Sequence, residues 1–120
     1  MQIFTPLMQG LGTALGLYQQ RHAVLAENVA NAETPGYRAR DLDFGHVLES
    51  AFDGAPGGRT GAGGVEPTVD TKAVIKVDRN SVDIDTEMAR LSENALRIVA
   101  LTRLISGSYA GLKRAIGEVR

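Results

Sequence analysis

The 120-residue sequence contains no cysteine and no tryptophan. Without thiols there is no disulfide, no cysteine-type zinc site and no cysteine nucleophile. The same absence fits an oxidising setting outside the cytoplasm, as it also fits many small cytosolic chains. Aromatic residues make up 5% of the chain, too few to furnish a ligand pocket or a platform on which bases stack. The formal net charge is −1, with no basic excess to meet phosphates or anionic lipid. Neither nucleic acid nor direct membrane insertion is therefore expected. No uninterrupted apolar run approaches the roughly 20 residues that cross a bilayer. Nor does a charged-then-apolar start with a small-residue cleavage site mark a signal peptide.

Catalytic patterns are equally scarce. Residues 78–83 faintly resemble a calcium loop, but the sixth position is Asp83 rather than glycine and the twelfth is Ala89 rather than glutamate. Asp83, Asp85 and Glu87 read better as a cap and first-turn charges at the positive end of a helix. His22 reads as a helix-seam residue with a polar partner or at an exposed edge, and His46 as solvated. Neither stands in a metal-ligand spacing. The glycine tract lacks the Lys-Ser/Thr ending of a phosphate loop, and no Ser/His/Asp set stands out. No catalytic residue, cofactor or metal is expected.

What the chain has in plenty is helical periodicity. In its last third, steps of four and three visit Ile84, Met88, Leu91, Ala95, Ile98, Thr102, Ile105, Tyr109, Leu112, Ile116 and Val119. Only Thr102 breaks the apolar run. A repeat averaging 3.5 residues aligns such side chains along one line of a slightly supercoiled helix. The pattern predicts a helix over 83–119, roughly 50 Å long. Leu96, Val99, Leu101 and Leu104 lie off that seam and widen the apolar surface beyond what one partner helix covers.

Near the start, Thr5 and Pro6 suit a helix N-terminus. The steps that follow reach Phe4, Met8, Leu11, Leu15, Tyr18, His22, Leu25 and Val29, with Leu7, Ala14, Leu17 and Val24 off the line. This predicts a helix over 5–31, roughly 40 Å long. Gly10, Gly12 and Gly16 each cost it about 1 kcal/mol relative to alanine. Folded antiparallel, the two helices bring Gly10 and Gly12 near Gly107 and Gly111. Those glycines read either as a site of close backbone approach or as local weak points.

After the first helix come Asn28 and Asn31, one turn apart, so that both amides are expected to face the returning chain. Asn31 suits a helix end. Pro35 pushes Thr34 out of the helical region. Pro35-Gly36 at the centre of Thr34-Pro35-Gly36-Tyr37 is the type II pattern, with Gly36 supplying positive φ. Asp43 is placed to cap a short helical turn carrying Phe44, Val47, Leu48, Ala51 and Phe52. The glycine-rich loop 54–64 is costly to order. Alternation across 65–77 predicts a strand, paired either with the segment after Tyr37 or with another subunit. The fold class expected is mainly α: a long, coiled-coil-like antiparallel hairpin of N- and C-terminal helices with a small irregular middle containing a β-strand. The parts are 1–36, the irregular middle 37–82, and 83–120.

The block Asn28-Val29-Ala30-Asn31-Ala32-Glu33-Thr34-Pro35-Gly36-Tyr37 closely resembles the N-terminal signature of bacterial flagellar rod and hook proteins. The next residues, 38–44, are similar to the proximal-rod members of that family. The likeness resumes over 80–88 and runs through Leu91, Glu93, Asn94 and Leu96. Arg97-Ile98-Val99 departs from the Tyr-Gln more usual there. The resemblance implies a structural subunit of the proximal rod of the flagellar basal body. It implies export through the flagellar type III apparatus, a place in the rod within the periplasmic space, and torque transmission by packed helices without chemistry. The implied partners are further copies, other rod proteins, the adaptor at the rod base, and the export gate and inner-membrane ring. The turn motif is then Asn28, Asn31, Thr34, Pro35, Gly36 and Tyr37. The assembly seam is Met8, Leu11, Leu15, Tyr18, Leu25, Val29, Ile84, Met88, Leu91, Ile98, Ile105, Tyr109, Leu112 and Ile116. A heterologous contact that does not close gives the helical filament a rod requires. The rival reading is a helical-bundle adaptor or chaperone of a type III-like secretion system, which would fold alone as a closed bundle.

Overall fold

The computed structural model describes residues 4–42, 45, 49, 68, 69 and 80–118. Helix α1 spans Phe4–Ala30, strand β1 Arg40–Asp41, strand β2 Thr68–Val69 and helix α2 Ile84–Glu118. Both helices fall within two residues of the spans their periodicity predicts. With 27 and 35 residues they are about 40 and 52 Å long. The chain measures 67 × 29 × 20 Å with a radius of gyration of 18.0 Å, where a compact chain of this size has about 14 Å. It is a rod-shaped hairpin.

The strands form one antiparallel pair, Arg40 opposite Val69 and Asp41 opposite Thr68. Of the two partners open to the 65–77 strand, the segment after Tyr37 is the one it takes at Thr68–Val69. The rest of 65–77, the loop 54–64 and His46 lie outside the described residues. Of the expected turn over 43–52, Gly45 and Glu49 are helical and the others lie outside.

Helix α2 starts where Asp83 supplies its cap. Asp83 Oδ1 accepts from the Asp85 amide at 3.1 Å, Oδ2 accepts from Thr86 Oγ1 at 3.1 Å, and the Asp83 carbonyl takes the first helical bond from Glu87 N at 2.9 Å. The helices run antiparallel, the end of α1 beside the start of α2: Asn28 reaches Glu87, and Tyr18 and His22 reach Asn94. On α1 the buried apolar residues are Leu11, Ala14, Leu17, Tyr18, Val24 and Leu25.

Within the single hairpin, the lines that face the partner helix match the apolar periodicity only in part. Each helix keeps one of its two expected lines, Leu11, Tyr18 and Leu25 on α1, and Leu91, Ile98, Ile105 and Leu112 on α2. The companion line is shifted by one residue. On α1 it runs through Ala14, Arg21 and Asn28, leaving Met8, Leu15 and Val29 only partly buried. On α2 it runs through Glu87, Asn94, Leu101 and Ser108. Met88, Tyr109 and Ile116 consequently point outward, 49, 60 and 57% exposed, and Ile84 at the helix start is 45% exposed. The physical reason is polar: Asn28, Glu87 and Asn94 are almost fully buried, and this roll is the one that makes the cross-helix bonds Asn28–Glu87 and Asn94–Tyr18.

Three of the four glycines offered for close backbone approach, Gly12, Gly107 and Gly111, are not in one. A Cβ built on Gly12, Gly16, Gly107 or Gly111 meets nothing within 4 Å. They are local weak points in propensity, not contacts.

Leu25 is fully buried and Met88 is half exposed. Leu25→Ala is expected to cost about 2–5 kcal/mol in urea unfolding of the purified chain, and Met88→Ala about 0.5 kcal/mol or less. Equal midpoints for the two would contradict this placement of the core.

Candidate functional site

The densest chemistry lies where α1 ends and the chain doubles back. After Ala30 the helix tightens: Asn31 N bonds both Glu27 O (3.1 Å) and Asn28 O (3.2 Å), and Ala32 N and Thr34 N bond the carbonyls three residues back. Then Tyr37 N donates to Thr34 O at 3.2 Å, and Gly36 has φ 75°. Proline fixes φ negative at the second position, so a positive third position makes this a type II turn.

The turn returns the chain along α1, where the Asn28 side chain takes it. Asn28 Nδ2 donates to Arg40 O at 2.7 Å, and Asn28 Oδ1 accepts from Arg40 N at 3.0 Å. One amide thus bonds both polar groups of one residue's backbone, as a neighbouring strand would. Asn28 Oδ1 also accepts from the Tyr37 hydroxyl at 3.2 Å, and Nδ2 also donates to Glu87 Oε2 at 3.1 Å. Two donor hydrogens and two lone pairs are all in use. The residue is fully buried, so its loss strands several partners at once.

Asn80 closes the clasp from the α2 side. Its Nδ2 donates to Asn31 O (2.9 Å) and Thr34 O (2.6 Å), giving each carbonyl a second bond beside the one it takes within the turn. Its Oδ1 accepts from Val82 N at 2.7 Å. Ser81 adds two bonds, its amide donating to Tyr37 O (3.0 Å) and its Oγ accepting from Ala39 N (2.8 Å). Ala32, Ala39 and Val82 pack between these bonds, with Tyr37 against them.

Ion pairs frame the clasp. Arg21 meets Asp41 through two 2.9 Å bonds, the bidentate geometry that makes arginine pairs specific. The Asp41 hydrogen bond is the main cause holding the Arg21 pKa above its ordinary value, against the opposing effect of burial. With a folded pKa above the unfolded one, that contribution is complete below the ordinary arginine range and is lost only in strong alkali. Arg40 pairs with Glu27 at the exposed rim at 2.7 Å, and Arg90 with the buried Glu87 at 3.3 Å.

Of the six turn-motif residues, Asn28, Thr34, Gly36 and Tyr37 converge here through hydrogen bonds or backbone geometry, and Pro35 sets the turn. Asn31 is the correction. Its amide does not face the returning chain: Nδ2 bonds Glu27 O on its own helix at 2.9 Å, and Oδ1 accepts from Thr34 Oγ1 at 3.2 Å. Only its backbone carbonyl joins the clasp. Glu87 is the first-turn acidic residue its position implies, and it is also a buried cross-helix acceptor, which the sequence did not reveal. Asn80, Ser81 and the Arg21–Asp41 pair went unread in the sequence. Asn80 and Ser81 were visible only as two polar residues before the Asp83 cap. Among the described residues no cluster of three or more metal-ligating side chains occurs, and no described helix is long and apolar enough to cross a membrane.

Comparison with known proteins points one way. The family described as "Flagella basal body rod protein" matches residues 8–38, the span of α1 and the turn. "Flagellar basal body rod protein FlgB" of Proteus mirabilis strain HI4320 is 32% identical over 125 residues, 88% of this chain and 89% of its own length. The protein of the same description from Salmonella typhimurium is 36% identical over 123 residues, 86% of this chain and 87% of its own. That of Escherichia coli K12 is 32% identical with the same coverage.

Two substitutions test the clasp. Asn28→Ala leaves the Arg40 backbone and the Tyr37 hydroxyl without partners, an expected loss on the order of 3 kcal/mol in urea unfolding. Gly36→Val forces a β-branched residue to positive φ and should cost about 1–3 kcal/mol, with Gly36→Asn clearly milder. Indistinguishable Val and Asn variants would refute the strained turn.

Proposed function

The chain belongs to the FlgB family of flagellar basal body rod proteins, structural subunits and not enzymes, and from that premise we propose that it builds the proximal rod by packing its helices against those of neighbouring subunits. The observation that carries this reading is the outward line of α2. Met88, Tyr109 and Ile116 recur along one side of the helix, with Ile84 at its start and Val99 beside them, and Leu96 and Leu104 extend the exposed apolar surface round the helix, all 45–71% exposed. Apolar surface extended along a helix of about 52 Å is what a filament of parallel rods buries between subunits. The neighbours are other copies and the other rod proteins.

Within that reading the two helices bear torsional load, and the clasp keeps them from sliding at the end where the chain reverses. The subunit is exported by the flagellar type III apparatus and sits in the periplasmic stretch of the basal body. At its base the rod meets the adaptor protein, the export gate and the inner-membrane ring. The rival adaptor or chaperone reading gains nothing from a hairpin that leaves its apolar line uncovered, since a closed bundle would bury it.

Tyr109→Asp and Ile116→Asp test the assignment. Both side chains are more than half exposed. Each change should therefore alter the unfolding free energy of the purified chain by no more than about 0.5 kcal/mol. Cells carrying either should export the subunit yet fail to swim, because the carboxylate would be buried without a partner in every interface. Normal swimming by both variants would remove the assignment of this line to assembly.

A further inference from the structure

The two lines available to α2 differ in character. Glu87, Asn94, Leu101 and Ser108 face α1, while the more apolar Met88, Ala95, Thr102, Tyr109 and Ile116 face away. Hydrophobic burial alone would choose the second. Switching between them is a roll of α2 about its own axis of roughly 50° around the shared Leu91–Leu112 line.

Asn94 is the residue that resists the roll. It is fully buried, one heptad beyond Glu87 and clear of the clasp. Its Nδ2 donates to the Tyr18 carbonyl at 2.9 Å and lies 3.3 Å from His22 Nδ1. Both of those are acceptors when the ring nitrogen is unprotonated, which fixes the amide's orientation. Its Oδ1 is buried with no hydrogen-bond partner. A buried acceptor without a donor opposes folding, so Asn94 is a poor choice for stability. As a determinant of geometry it is a good one, because a polar residue on a helix seam selects one arrangement at a cost in stability. Ser108, farther along the same line, satisfies itself by donating to Leu104 O at 2.9 Å and exerts no such pull.

We propose that Asn94, together with Glu87, is a rotational lock that holds α2 rolled away from its most apolar seam and so keeps the Met88–Tyr109–Ile116 line outward. Two polar pins one heptad apart define the roll, where one alone leaves the helix free to twist beyond the clasp. The lock rests on the assembly reading only for its purpose; the roll itself belongs to the single chain. Without it, the hairpin closes over its own apolar line and becomes more stable and unable to assemble.

The chain has no cysteine, so one introduced thiol is a clean probe. Tyr109→Cys and, separately, Ser108→Cys are labelled with a maleimide in the purified chain, with and without Asn94→Ala, which removes the polar pin without adding a large apolar group to the line that faces α1. In the parent, the thiol at 109 should react fast and that at 108 slowly. With Asn94→Ala the rate at 109 should fall at least about fivefold, the mark of a majority shift in roll, and that at 108 should rise. The melting temperature should rise as well. Unchanged rates at both positions overturn the lock. So does a lower melting temperature with both thiols faster, which would make Asn94 an ordinary packing residue. If Asn94→Ala does not fold, Asn94→Ser read by the same two thiols decides between these outcomes. Swimming cells that carry a variant shown to be rolled would leave the lock standing and overturn the assembly reading instead.

Discussion

The architecture depends on one buried amide. Asn28 bonds both backbone groups of Arg40, the Tyr37 hydroxyl and the Glu87 carboxylate. It therefore joins three parts of the chain: the end of α1, the returning segment and the start of α2. Only one relative position of the three satisfies all four bonds. The type II turn at Gly36 delivers the returning segment, and Asn80 ties two of the turn's carbonyls to the α2 side. Among the described residues the apolar cluster at the clasp is small, made of Ala32, Ala39 and Val82 with Tyr37 against them. Position here is set by directional bonds, not by bulk packing, and directional bonds tolerate little displacement.

That constraint propagates along the hairpin. Once Asn28 has taken Glu87 and Tyr18 has taken Asn94, the roll of α2 is chosen and its apolar line is left on the outside. A helix pair chosen for its own stability would do the reverse. The chain gives up internal burial and gains a surface suited to many neighbours, which is the requirement of a rod subunit and not of a freestanding domain. The same logic accounts for the weak helices: Gly12, Gly16, Gly107 and Gly111 lower propensity without any packing reason. Helices of this kind draw much of their stability from tertiary and intersubunit contacts.

Much of this was legible in the residues alone. Periodicity placed both helices to within two residues, because a seven-residue pattern sustained over about four or five repeats has few competing explanations. Pro35-Gly36 announced its turn, because only glycine accepts that φ at no cost. The strand pairing was legible as one of two options. The seam was not, since counting apolar residues treats a buried Asn94 or Glu87 as an interruption when it is the determinant. Their partners lie 76 and 59 residues away, and no local pattern carries that information. Asn80 was masked by a weak resemblance to a calcium loop, and Asn31 was drawn in by its spacing to Asn28 although its amide bonds its own helix. The family likeness ran through Asn80, Glu87 and Asn94 as residue identities, with nothing to say that they are the buried ones.

Oxidative footprinting tests the account most directly. Hydroxyl radicals are applied to the free chain and to isolated basal bodies, and modification is read residue by residue by mass spectrometry. Met88 and Tyr109 should be heavily modified in the free chain and protected in the rod, while Leu11 and Leu25, buried within the hairpin, should be protected in both. Equal modification of Met88 and Tyr109 in the two states would mean that the outward line is not what the rod covers, and the account would fail.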